Sequence, residues 1–126
     1  NMKYIYLFIY IILSLIGSAK ADIINKFPYA CVCDRSINTF EYLACKNKMG
    51  STLLELQTDN ISIKNSFDEK IYQIQVESKT LTAIFFNKNY QSTISLNENL
   101  SLLFSIFYPE YKKEWSYKLQ CISTKQ

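Results

Sequence analysis

Three segments of this chain alternate apolar and polar residues with a period of two. Their apolar positions are Tyr72, Ile74 and Val76, then Ile94 and Leu96, then Trp115, Tyr117, Leu119 and Cys121. This alternation is typical of antiparallel strands that bury one face, because successive side chains of a strand point to opposite sides. Asn-rich clusters at 58–60, 87–89 and 97–99 favour turns between strands. We therefore expect an all-β domain.

Two features refine this expectation. The stretch from Leu100 to Tyr108 fits a strand and a short helical turn equally well, and Pro109 ends either one. Gly50 is the single glycine beyond residue 21, so we expect its turn to need a backbone conformation that side chains do not tolerate. No linker rich in Pro, Gly or Ser divides residues 22–126, which predicts one domain.

The chain opens with the pattern of a signal peptide. A positive start at Lys3, an apolar stretch over 4–16 and small residues at 18–21 predict a leader over 1–21, cleaved before Asp22. At 1.5 Å per residue the apolar stretch covers about 20 Å, short of the roughly 30 Å hydrocarbon core of a bilayer. We therefore expect a secreted protein without a stable membrane span after cleavage.

Four cysteines follow the leader: Cys31, Cys33, Cys45 and Cys121. An oxidising compartment favours disulfides, so we expect all four to be paired. Cys31 and Cys33 stand two residues apart, roughly 6.5 to 7 Å on a strand, at or beyond the distance that a disulfide bridges. Each therefore pairs with Cys45 or Cys121, and both arrangements stay open.

Composition excludes several classes of chemistry. The net charge is only +3, and Lys3 and Lys20 belong to the leader, so a nucleic-acid interface is not expected. The absence of histidine excludes Ser-His and Cys-His hydrolases and imidazole metal sites. Glu110 and Glu114 are the best carboxylate pair for a hydrolase, but surface charge explains them better. We predict no catalytic residue and no enzyme.

Five positions recur at a fixed offset of 48 residues. The pairs are Phe67 and Trp115, Lys70 and Lys118, Ile71 and Leu119, Ile74 and Ile122, and Val76 and Thr124. Hairpin-like segments at 40–54 and 82–96 precede the two copies. This repeat predicts two motifs, about 29–78 and about 79–124, within a single disulfide-braced domain over 22–126.

The repeated segments resemble the βγ-crystallin family. Residues 67–76 are similar to the closing strand of a family motif, and residues 81–96 are similar to the folded hairpin that opens the next one. The family hairpin has an aromatic residue seven positions before a glycine; here Phe85 precedes Ser92 and Leu43 precedes Gly50, so each copy keeps one hallmark. The resemblance implies an antiparallel Greek-key β-sandwich of two repeated motifs.

Calcium is the one ligand that this resemblance implies. Microbial and invertebrate members commonly bind calcium through paired acid or amide residues followed by hydroxyl side chains. Asp68 and Glu69 match the first pair, whereas Tyr72 and Gln73 stand at the hydroxyl positions. We therefore predict no cofactor or metal beyond a candidate calcium site at Asp68 and Glu69.

These features together favour an extracellular role. Asn60 and Asn99 lie in Asn-x-Ser triplets that accept glycans in a secreted eukaryotic protein. We expect a secreted, non-enzymatic, crystallin-like binding or structural protein, monomeric, whose partner is an extracellular protein or a glycan. The alternative is a small secreted toxin or effector that acts on a foreign cell or a host protein.

Overall fold

The computed structural model describes residues 23–36 and 38–126, without the side chain of Val76. The leader expected over 1–21 and its cleavage before Asp22 lie outside the described residues. The described residues form eight strands, and a helix, α1 (Thr39–Met49), connects the first strand to the second. The strands are β1 (Tyr29–Cys33), β2 (Thr52–Leu56), β3 (Asn60–Lys64), β4 (Glu69–Glu77), β5 (Leu81–Phe86), β6 (Gln91–Leu96), β7 (Ser101–Tyr108) and β8 (Lys113–Ser123).

The eight strands form a closed barrel in which each strand pairs with its neighbours in the chain. All of these pairings are antiparallel, and β8 returns to pair with β1, with Cys31 opposite Cys121. The prediction of an antiparallel β architecture is confirmed, although α1 makes the described part mostly β and not all-β. The Greek-key sandwich of two motifs is not confirmed, because a Greek key needs a strand that returns past its neighbours, and here consecutive strands are always adjacent.

The 48-residue offset does not relate equivalent positions of the barrel. Leu119 is fully buried, whereas Ile71 is 42% exposed. Ile122 is likewise exposed, whereas Ile74 packs against the core. The reason is that β4 turns its even-numbered residues inward and β8 its odd-numbered ones, so an even offset maps the inner face of one strand onto the outer face of the other.

Helix α1 lies where the first hairpin-like segment was expected. Asn38 caps the helix, since its Oδ1 accepts a hydrogen bond from the Glu41 backbone N–H at 2.8 Å. Glu41 lies in the first turn and Lys46 and Lys48 in the last, an arrangement that the helix dipole favours. Gly50 ends the helix with a φ of 59°. The predicted need for an unusual backbone at this glycine is confirmed.

Both disulfides anchor β1. Cys31–Cys121 joins it to β8 across 90 residues, and Cys33–Cys45 joins it to α1 across 12 residues. All four cysteines are paired, as predicted, and the open choice of partners is settled. The first bridge fastens the two strands that close the barrel, and the second fixes the helix over one end of it.

The barrel interior is packed with apolar side chains in its lower half. We call the end where β1, β3, β5 and β7 finish the upper end, and the opposite end the lower end. The fully buried side chains of the lower half include Leu54, Leu81, Ala83, Leu96 and Leu102. Ile23 and Phe27 close the lower end, where the Tyr29 hydroxyl donates a hydrogen bond to the Ile23 carbonyl at 2.6 Å.

The ambiguous stretch from Leu100 is resolved as strand β7 from Ser101 onward. Its even-numbered residues Leu102, Phe104 and Ile106 are buried and its other residues are more exposed, which is the strand alternation. No helix in the described part of the chain has the length and apolarity to cross a lipid bilayer.

Removing the Cys31–Cys121 bridge should destabilise the protein more than removing Cys33–Cys45. The chain-entropy model gives about 4 to 5 kcal/mol for the longer loop and about 3 kcal/mol for the shorter one. Denaturant unfolding of the variant with Cys31→Ser and Cys121→Ser, compared with that carrying Cys33→Ser and Cys45→Ser, measures the difference. An equal loss, or a larger loss from the second pair, would show that the first bridge does not hold the closing strands.

Gly50→Ala should lower the free energy of unfolding by about 1 to 2 kcal/mol, the strain of a side chain in the left-handed region. An added Cβ would also collide with the side chain of Ser66. Adding Ser66→Ala should therefore recover only part of the loss, because the backbone strain remains. Ser51→Ala at the exposed neighbour is the control, and an unchanged melting temperature for Gly50→Ala would contradict this role.

Candidate functional site

A cavity of about 380 Å³ opens at the upper end of the barrel, and we call it the mouth cavity. The last turn of α1 borders it through Asn47 and Lys48, and the turn before β4 borders it through Asn65 and Asp68. Four of its lining side chains are apolar and buried: Met49, Ile63, Phe104 and Ile106. The mouth cavity therefore reaches the apolar interior of the barrel, whereas a hollow of about 460 Å³ at the lower end is more open and is lined mainly by the segment before β1 and the end of β2.

Five aromatic rings follow one another around this end of the barrel, and we call them the aromatic arc. The rings belong to Tyr72, Phe85, Tyr90, Tyr108 and Trp115, and successive centroids lie between 5.5 and 5.9 Å apart. Tilted and edge-on ring pairs at such distances stabilise one another by roughly 0.5 to 1.5 kcal/mol each. The arc runs from β4 to β8, and its three tyrosines line the mouth cavity.

A second, more open hollow of about 320 Å³ adjoins the mouth cavity. Tyr108 and Lys48 line both spaces, and Tyr111, Trp115 and Tyr117 line the second one alone. Tyr111 and Trp115 are exposed there. The rim of the mouth therefore presents aromatic surface to solvent beside the cavity entrance.

Lys70 is a cation inside the mouth cavity. Its Nζ forms an ion pair with Asp68 and lies 5.8 Å from the ring centroid of Phe85 and 5.6 Å from that of Tyr90. Burial by itself would lower the pKa of Lys70, but hydrogen bonds to Asp68 and Tyr90 outweigh it and raise the pKa to about 12. Lys70 is therefore positively charged across the physiological pH range.

A buried pair of hydroxyl groups lies beside Lys70, at the next inward position of β4. The Tyr72 and Ser92 hydroxyl oxygens are 2.6 Å apart, and both side chains are almost fully buried. Burial raises the pKa of Tyr72 to about 12, although the hydrogen bond to Ser92 and the charge of Lys70 act in the opposite direction. Tyr72 therefore stays neutral at physiological pH and joins β4 to β6 through its hydroxyl.

The two residues of the candidate calcium site have separate partners. Asp68 pairs with Lys70, whereas a Glu69 oxygen accepts a hydrogen bond from the Ser62 hydroxyl at 2.9 Å. In the described part of the chain no three Cys, Asp or Glu side chains are grouped to hold a metal ion. Calcium binding at Asp68 and Glu69 stays a prediction.

The remaining predicted residues lie away from the mouth cavity. Asn60 begins β3 and Asn99 lies in the exposed turn between β6 and β7, both at the lower end. Their glycosylation stays a prediction, and glycans there would leave the mouth uncovered. Glu110 and Glu114 are exposed, and neither lines the mouth cavity.

Of the residues that line the mouth cavity, Asp68 alone was predicted from the sequence as a site residue. Lys70 and Ser92 occupy inward positions of alternating strands, in phase with Ile74 and Ile94 respectively. In each strand a polar residue stands among the alternate positions that are otherwise apolar, and this pattern could have identified Lys70 and Ser92. The partner residues on α1 and β7 carry no such mark, because only the closed barrel brings them together.

No protein-family model, curated protein or solved structure is similar enough to this chain to count as a match. The resemblance to βγ-crystallins therefore stays a prediction, and the function is inferred from the geometry of the mouth cavity.

Breaking the hydroxyl pair should destabilise the protein. Tyr72→Phe and Ser92→Ala each leave one buried hydroxyl without its partner, at about 1 to 3 kcal/mol, and the double variant should lose less than the sum. Ser105→Ala is the matched control, because the Ser105 and Ser116 hydroxyls are 3.1 Å apart on the exposed outer face. Additive losses in denaturant unfolding would show that the two hydroxyls are not coupled.

The hydroxyl pair also limits the stability of the fold at alkaline pH. The pKa of Tyr72 rises from 10.0 to about 12 on folding, so its contribution to the free energy of unfolding is complete below pH 10 and is lost as pH rises toward 12. In denaturant unfolding over this pH range, the free energy of unfolding of Tyr72→Phe should therefore fall less steeply than that of the wild-type chain.

Proposed function

We propose that this protein is a secreted, non-enzymatic binding protein that holds one small ligand in the mouth cavity. The observation that supports this most is a cavity at the upper end whose lining includes buried apolar side chains of the barrel interior. An eight-strand barrel is just wide enough to be filled by side chains or to hold one small ligand. The volume of about 380 Å³ falls within the roughly 300 to 1,000 Å³ of small-molecule sites.

The lining has the chemistry of a binding site. Small-molecule sites are mostly apolar, with a few placed polar groups that orient the ligand. Here Phe104 and Ile106 supply buried apolar surface, and Lys70 and Asn65 supply partly exposed polar groups. The three tyrosines of the aromatic arc that line the cavity add large, rigid contact area, which suits binding at low cost in side-chain entropy.

The pKa values of two residues at the cavity, Lys70 and Tyr72, favour binding of a ligand over its chemical conversion. General acid–base catalysis works best when the pKa of the group lies near the operating pH. The pKa values of Lys70 and Tyr72 are both about 12, so neither exchanges protons readily near neutral pH. These residues supply charge and shape to the mouth cavity but not proton transfer.

The disulfides support an extracellular site whose walls are formed before the ligand arrives. Two bridges in a domain of this size are compatible with an oxidising compartment. Cys33–Cys45 fixes α1, which borders the cavity, and Cys31–Cys121 holds the barrel closed. Because α1 and the closing strands are held covalently, less ordering of these elements is needed on binding, which favours affinity.

A neutral fluorescent probe, N-phenyl-1-naphthylamine, tests the proposal in the oxidised chain. We expect saturable one-to-one binding with enhanced fluorescence. Ser92→Leu should abolish this binding because it fills the cavity, whereas Ser92→Ala removes the same hydroxyl and should retain it.

Circular dichroism and unfolding curves establish that both Ser92 variants are folded. Absence of saturable binding to the wild-type chain would contradict the proposal, as would equal binding by folded Ser92→Leu and Ser92→Ala variants.

A further inference from the structure

Building on the proposed ligand site, we infer that the ligand is a small organic anion with an apolar body, whose negative group binds Lys70. The charge lies near the rim and the apolar surface lies deeper. Along β4 the inward residues from the mouth are Lys70, then Tyr72, then Ile74, and the interior below them is apolar. A ligand with one charged end and one apolar end matches this order.

Lys70 has capacity left for a ligand. An ammonium group carries three N–H donors and no acceptor. Asp68 accepts one hydrogen bond from Lys70, which leaves N–H donors for a further acceptor. Because the side chain is partly buried, a charge-assisted hydrogen bond there is screened less by solvent than one on an open surface.

The charges around the cavity favour an anion. Among the described residues that line it, Lys48 and Lys70 are basic and Asp68 is the one acidic residue. A bound anion would therefore restore neutrality, whereas a cation would add to an existing positive excess. Glu69 is the neighbouring acidic residue, but its carboxylate accepts a hydrogen bond from Ser62 and does not line the cavity.

Asp68 is a replaceable partner for Lys70. Its side chain is 46% exposed, so its carboxylate can be hydrated when a ligand anion takes its place. The backbone there is held independently, since the Asn65 side chain accepts hydrogen bonds from the N–H groups of Phe67 and Asp68. Asp68 therefore competes with the ligand for Lys70, and removing its charge should strengthen binding.

Two probes with the same rings test this inference. 1-Anilinonaphthalene-8-sulfonate is N-phenyl-1-naphthylamine with a sulfonate added, so the ratio of their dissociation constants isolates the negative charge. We expect the sulfonate to bind about tenfold more tightly to the wild-type chain, the scale of one charge-assisted hydrogen bond. Lys70→Met should remove this advantage, so that the ratio of the two dissociation constants falls to about one.

Asp68→Asn should increase the preference for the sulfonate over the neutral probe several-fold, whereas Lys70→Met decreases it. Lys88→Met is the matched control, because Lys88 is exposed in the turn between β5 and β6 at the same end and does not line the cavity. Lys88→Met should leave the dissociation constants of both probes unchanged.

The outcomes separate the two proposals. If both probes bind equally and Lys70→Met changes neither, the anion inference is wrong while the proposed binding function stands. If Asp68→Asn weakens the sulfonate, Asp68 does not compete for Lys70, and the inference is equally overturned. If neither probe binds the folded wild-type chain, the proposed function itself fails.

Discussion

The pairing of β1 with β8 is the contact on which the rest of the structure depends. It turns an eight-strand sheet into a barrel, and the Cys31–Cys121 bridge makes the junction covalent. Closure removes the two edges that an open sheet would expose. It also sets the width of the interior, because the diameter of a barrel follows from its strand number. At the upper end the side chains leave part of this width open as the mouth cavity.

The two halves of the interior differ because their side chains differ. Aliphatic residues such as Leu54 and Leu102 pack in the lower half and leave no polar group to satisfy. The upper half carries Tyr90, Tyr108 and Lys70, whose polar ends require water or a hydrogen-bonding partner. These side chains therefore lie around the cavity with their polar ends accessible. The same polar ends, beside buried apolar side chains, would bind a charged, partly apolar ligand.

Strands and turns of this fold are predictable from the sequence, but their arrangement is not. Alternation identifies β4, β6 and β8, and the Asn clusters mark turns between strands. Alternation says which face of a strand is buried and nothing about its neighbours, so a Greek key and a simple meander have the same pattern. Helix α1 has clear end signals at Asn38 and Gly50, but Phe40 and Leu43 are exposed, so its apolar pattern is weak. Lys70 becomes a site residue only when α1 and β7 are placed beside it.

Nuclear Overhauser effects across the closing strands report directly whether the sheet closes into a barrel. In the oxidised chain we expect contacts between backbone protons of Ala30 and Ile122 and of Val32 and Gln120. We also expect contacts on the other side of β1, between Ala30 and Leu53. Both sets together mean that β1 is paired on its two sides. Contacts on one side of β1 alone would contradict closure and, with it, the mouth cavity.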